Sequence, residues 1–141
     1  MRARASIFIK RDPDSVFAKV LDFASHHSWR AEVVSTRVPP GELKPGAIIS
    51  QQVSARGNQA TIELEITEIT PPARIAFRTR GPYRGKGDFS MRPEAEGTRM
   101  SMTVSVELNG MLELAEEKIR MGFETSAREN LARLKSQMEA E

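Results

Sequence analysis

The sequence predicts an α+β fold: a curved seven-stranded antiparallel sheet wrapped around a long C-terminal helix, with short helices after the first strand. Three observations carry this. Successive segments between residues 32 and 108 alternate apolar and polar residues, which is the period of half-buried strands. Short turns rich in proline and glycine separate them, and strands joined that way pair antiparallel. The chain then ends in one long run of apolar residues at helical spacing, the only element long enough to cover the apolar sheet face.

The elements follow in order. Residues 5–10 form a short β-prone segment with Ala5, Ile7 and Ile9 on one face. Asp12-Pro13 reads as an N-cap followed by proline in the first helical position. The helix it opens carries Val16, Phe17, Val20 and Leu21, and fades at Ser25-His26-His27-Ser28, just before Trp29. Strands are expected at 32–38, 47–54, 60–69, 74–80, 86–92 and 98–108. Ile62, Leu64 and Ile66 share one face of the third of these, and Met100, Met102, Val104, Val106 and Leu108 share one face of the last. Asn109 is placed to cap a helix over 110–138, with the stripe Leu112, Ala115, Ile119, Phe123, Ala127, Leu131, Leu134 and Met138. Its acidic start and basic end suit the helix dipole. Gly122 and Ser126 lie beside that stripe, and a mid-helix glycine costs about 1 kcal/mol against alanine. Gly122 therefore suggests either close packing on the sheet or an open space beneath the helix.

Composition narrows the function. The 141 residues suit one domain, 1–141, and bury enough surface for a core without staples. There is no cysteine, so disulfides, thiolate metal sites and cysteine nucleophiles are excluded. A net charge of +2 does not mark a dedicated polyanion binder. No apolar run approaches a membrane span, and the start of the chain lacks a signal-peptide pattern. A cytoplasmic location is expected.

The candidate chemistry is sparse. His26 and His27 are adjacent, so their side chains diverge, and no further His or Cys completes a metal set; they read as a solvated loop pair. Gly85-Lys86-Gly87 lacks the context of a phosphate loop and reads as turn chemistry. Arg78, Arg80, Arg84 and Lys86 surround Tyr83 on one expected hairpin, a basic patch whose single tyrosine offers no stacking platform for nucleic acid. Parity with Ile49 and Val53 turns Gln51 inward, and parity with Ile75 and Phe77 does the same for Thr79. Met91, Met100 and Met102 also face inward, where methionine suits a gap-filling core or a tolerant ligand wall. Asp88 and Glu63 fall on the polar face. This inward set has no evident proton-transfer residue, which favours binding over catalysis.

Four segments in this order resemble the START-like (SRPBCC) superfamily of polyketide cyclase/dehydrase-like and pollen-allergen-like helix-grip proteins. They are Asp12-Pro13-Asp14-Ser15-Val16-Phe17 with Leu21-Asp22 and Trp29, then Leu43-Lys44-Pro45-Gly46, then Ile66 to Ile75 across Pro71-Pro72, and finally Phe89 to Pro93 with Gly97-Thr98-Arg99. The resemblance implies a helix-grip fold, with Trp29 as a wedge where the first helices meet the sheet. It also implies a hydrophobic or amphipathic small molecule held between sheet and C-terminal helix. Phe77, Phe89, Met91, Met102, Ile119 and Phe123 are expected to supply apolar contact there. Gln51, Thr79 and Ser126 would orient the ligand, and Gly122 would leave it room. No cofactor or metal is implied. The alternatives are a polyketide cyclase/dehydratase and a module docking RNA or an acidic partner through the basic hairpin.

Overall fold

Asp12 begins the first helix through the bond its side chain can make: Oδ2 accepts from the Ser15 amide at 3.1 Å, and Pro13 takes the first turn. In the computed structural model, which describes residues 1–55, 57–81 and 84–141, this helix is α1 (Pro13–Leu21). A 3₁₀ helix, Phe23–Ser28, follows it. The strands are β1 (Arg2–Ile9), β2 (Val33–Arg37), β3 (Ile48–Ala55), β4 (Asn58–Thr70), β5 (Arg74–Arg80), β6 (Gly85–Glu94) and β7 (Gly97–Val106). They form one antiparallel sheet in the order β1-β7-β6-β5-β4-β3-β2. The helix α2 (Glu116–Ala140) packs against β1. This is the expected seven-stranded sheet around a long C-terminal helix.

Local chemistry explains the register. Gly57 turns the chain between β3 and β4 with φ +81°, and Ala55 pairs with Asn58 across it. In β4 the pairing shifts between Ile66 and Glu68. A bulge of this kind resets the alternation, so Ile69 joins Ile62, Leu64 and Ile66 in the core despite its odd spacing. On the polar face Arg74 ties three strands together, pairing with Glu68 of β4 and donating to Asp88 of β6 at 2.8 Å.

The end of the chain departs from expectation. The helix over 110–138 is divided: Gly110–Ala115 is 3₁₀, and the α-helix starts only at Glu116. Asn109 makes no side-chain cap bond, and Gly110 takes φ +61°, a left-handed conformation that glycine tolerates and an α-helix interior does not. Met111 and Leu114 consequently stand in solvent.

The core is packed unevenly. At one end α1, the 3₁₀ helix after it and the second half of α2 bury Val16, Val20, Phe23, Trp29, Leu131 and Leu134 completely or nearly so. Toward the start of α2 the packing thins: Ile119 is half-buried and Phe123 is 45% exposed. Gly122 faces solvent, and a Cβ built on it meets nothing within 4 Å. Neither close packing nor space for a ligand accounts for this glycine. Gly122→Ala will therefore raise stability by about 0.5–1 kcal/mol through helix propensity alone. Leu134→Ala, in the packed half of the same helix, will cost about 2–5 kcal/mol. Urea and thermal unfolding of the two variants measure both signs.

Candidate functional site

Where the core thins, a cavity of about 660 Å³ opens between the sheet and the first half of α2. Its walls are mainly apolar: Val53 and Ile62 on one side, Met102, Val104 and Val106 on the other, with Ile119 and Phe123 above. Period-two alternation places these strand residues on one face, and among the described residues no large side chain fills the space between them.

Six of the residues expected at the site line this cavity: Gln51, Phe77, Thr79, Met102, Ile119 and Phe123. The other four lie elsewhere. Phe89 is fully buried in an aromatic cluster, its ring 5.8 Å from His26, 6.2 Å from Trp29 and 5.7 Å from Phe77. Met91 is buried in the same packed core. Inward parity is correct for both, but the first helices cover this part of β6 before any ligand could. Gly122 and Ser126 are exposed on the far side of α2, because a helix buries only a narrow stripe. Thr79 lines the cavity with its hydroxyl engaged, accepting from the Gly85 amide at 2.9 Å and donating to the Gly85 carbonyl at 3.2 Å.

The cavity's inner end carries a polar cluster that alternation does not reveal. Arg30 and Glu32 line it together with Gln51 and Asn130. Arg30 Nε donates to Glu32 at 3.1 Å, and its Nη1 donates to Gln51 Oε1 at 3.3 Å. Asn130 Nδ2 donates to both Glu32 oxygens, at 3.2 and 2.9 Å, while its Oδ1 accepts from the Ala31 amide at 3.2 Å. An acidic group thus faces the cavity, contrary to the inward set expected from strand parity. Parity misses Arg30 and Glu32 because they sit in the irregular link before β2. Asn130 does carry a signal: it falls on the buried stripe of α2, three residues after Ala127 and four before Leu134.

His26 supports this cluster from behind. It is fully buried rather than solvated, stacked on Phe23 with ring centroids 4.3 Å apart. Nε2 must donate to the Val20 carbonyl at 2.7 Å, so Nδ1 accepts from Arg30 Nη1 at 3.3 Å. Burial, with Arg30 adding to it, pushes the imidazole down to about 3. His27 is exposed, and no group of His, Cys, Asp or Glu among the described residues could hold a metal ion. Trp29 is the expected wedge, fully buried against His26 and Phe89. Its Nε1 is the one buried side-chain polar atom without a hydrogen-bond partner among the described residues.

The glycines near the site serve packing. Gly87 lies within β6, opposite Phe77, and is not a turn residue. A Cβ on it would stand 2.6 Å from Phe77 Cζ and 2.9 Å from the Thr103 carbonyl. The bare backbone lets the Phe77 ring lie across the strand at this point. Of the basic hairpin, Arg78 is paired with Glu65 at 2.9 Å, whereas Arg80, Arg84 and Lys86 are exposed. Tyr83 lies outside the described residues.

A curled antiparallel sheet gripping one C-terminal helix around an apolar cavity defines the helix-grip class. The chain belongs to the polyketide cyclase / dehydrase and lipid transport family, whose model matches residues 1–139. Among solved structures it is similar to TTHA0849 from Thermus thermophilus, at 22% identity and TM-score 0.84, covering 99% of this chain and 98% of that one. It is also similar to the Zhui aromatase/cyclase from a Streptomyces species, at 14% identity and TM-score 0.80, covering 99% and 93%. The di-domain ARO/CYC BexL of the BE-7585A biosynthetic pathway matches at 21% identity and TM-score 0.83, over 100% of this chain and 50% of that one. Among curated proteins none matches the sequence. No helix among the described residues is long and apolar enough to cross a membrane.

The depressed His26 makes stability depend on pH. A folded pKa held below the unfolded value of 6.5 means that the unfolded state takes up the proton first. Stability is then fully present above pH 6.5 and falls as the pH drops towards 3. Between pH 7 and 5 this histidine alone should remove about 2 kcal/mol, and His26→Gln should flatten that part of the profile in urea titrations. Gly87→Ala should destabilise by about 1–3 kcal/mol through the clash with Phe77. The same change in a Phe77→Leu background should cost less, a coupling that a double-mutant cycle reads directly.

Proposed function

We propose that this protein binds a hydrophobic or amphipathic small molecule in the cavity between sheet and C-terminal helix, carrying or sequestering it. The observation behind this reading is the 660 Å³ space itself, walled by apolar side chains with a few hydrogen-bonding groups gathered at one end. Ligand pockets have this size and this distribution of polarity. A core without a ligand would gain stability by filling such a space, since unfilled apolar volume forfeits contacts. The family's description names both cyclase/dehydrase activity and lipid transport, and either requires an apolar chamber.

One observation favours a second reading, a cyclase or dehydratase acting on a polyketide-like substrate. The Arg30–Glu32 pair places a proton-transfer group and a cation in the chamber. Folding a flexible chain against such a pair and excluding water can promote ring closure. Neighbours in fold include aromatase/cyclases by name. Binding is the requirement common to both readings.

The test is occupancy of the chamber. The wild-type chain should bind N-phenyl-1-naphthylamine with one-to-one stoichiometry. It should also release copurified small molecules on solvent extraction, visible as lost mass in native spectra. Val104→Trp, which places an indole in the chamber, should keep the fold and lose the probe. Undiminished probe binding by a folded Val104→Trp variant would refute the reading.

A further inference from the structure

We propose that the inner end of the cavity recognises an uncharged oxygen acceptor, a carbonyl on an otherwise apolar ligand, and discriminates against a carboxylate. This rests on the reading that the chamber holds a small molecule, and concerns which chemical class it selects.

Arg30 spends only part of its hydrogen-bonding capacity within the protein. Nε is used by Glu32, and Nη1 by Gln51 and His26. Nη2 has no hydrogen-bond partner among the described residues. Nor is it sealed in the protein, because the one buried side-chain polar atom without a partner among these residues is Trp29 Nε1. The Arg30 side chain is only 12% exposed and lines the cavity. A guanidinium held on two of its nitrogens, with the third open, is a preorganised donor for an oxygen atom. Its aim is fixed from both sides. Gln51 offers it an oxygen and donates to Thr36 at 3.4 Å, while neutral His26 can only accept from it.

Charge decides which oxygen. Arg30 is already neutralised by Glu32, whose position Asn130 fixes through both carboxylate oxygens. A ligand carboxylate on Nη2 would be a second anion on one cation, close to Glu32 and largely shielded from water. Like charges repel more strongly there than in solution, and the ligand would lose its hydration without gaining a free counterion. A carbonyl accepts the same hydrogen bond and brings no charge. The other charged residues lining the cavity are of both signs, Arg4, Arg80 and Lys86 with Glu107 and Glu124, so they add no strong preference for anions.

The experiment uses three probes of one shape, 2-ethylnaphthalene, 2-acetylnaphthalene and 2-naphthoate, in equilibrium dialysis against the full chain. The ketone should bind at least about tenfold tighter than the hydrocarbon, the worth of a hydrogen bond from a charged donor. It should also bind tighter than the carboxylate. Arg30→Met should bring the ketone down to the hydrocarbon. Glu32→Gln keeps an oxygen acceptor for Arg30 and Asn130 but removes the anion. It should raise the affinity for 2-naphthoate relative to 2-ethylnaphthalene by about tenfold or more. If Arg30→Met does not fold, the Glu32→Gln comparison decides alone. Three equal affinities in the wild type, carboxylate binding as tight as ketone binding, or 2-naphthoate affinity unmoved by Glu32→Gln would each overturn the proposal while leaving the chamber's role in binding intact. If none of the three binds the wild type, the small-molecule reading fails and this proposal with it.

Discussion

One helix has to cover a sheet much wider than itself. Seven strands about 4.8 Å apart make an arc of roughly 30 Å, whereas a helix with its side chains is about 10–12 Å across. Curling the sheet lessens the mismatch without removing it. At one end α1 and the 3₁₀ helix after it supply the missing volume, and Trp29, Phe23 and Phe89 close that end completely. At the other end the described residues supply no comparable cover. The first half of α2 offers Ile119, Phe123 and the small Ala127 to the sheet, all incompletely buried. The chamber is what the fold leaves where its covering elements run out.

The polar cluster at the inner end follows from the same geometry. β2 enters the sheet soon after the 3₁₀ helix, so Arg30 and Glu32 arrive beside the packed core and must be satisfied there. Charges so placed are tolerated only when paired and hydrogen-bonded. Asn130 reaches down from α2 to meet that need, bonding Glu32 and the Ala31 amide at once. Arg133 adds a bond to the Trp29 carbonyl at 3.1 Å. The cluster therefore fastens α2 over the chamber as well as decorating its wall. His26 contributes by staying neutral: a second N–H at Nδ1 would face the Arg30 guanidinium.

The frame and the chamber wall answer to different physical demands. At 14–22% identity the fold recurs with TM-scores of 0.80–0.84. Alternation, turns and covered apolar area specify the frame, and many sequences meet those conditions. The chamber's chemistry depends on a few particular side chains at irregular positions. For that reason the family and fold place this chain among helix-grip proteins, while Arg30, Glu32, Gln51 and Asn130 give its chamber a chemistry of its own.

Local signals were enough to specify the frame. Period-two alternation, the Asp12-Pro13 start and the Pro/Gly turns are each read within a few residues. With them came the inward faces of Gln51, Phe77, Thr79 and Met102, since strand parity needs no knowledge of the partner. Other outcomes waited on contacts between distant elements. Phe89 and Met91 point inward as parity requires, yet become core because the first helices pack over that part of the sheet. Gly122 and Ser126 sit beside the apolar stripe of α2 yet face solvent, because only their neighbours on the helix meet the sheet. His26 looks like a loop residue until Phe23, Trp29 and Phe89 enclose it. Periodicity reports which way a side chain points; what it meets there is set by elements distant in the chain, and only folding brings those together.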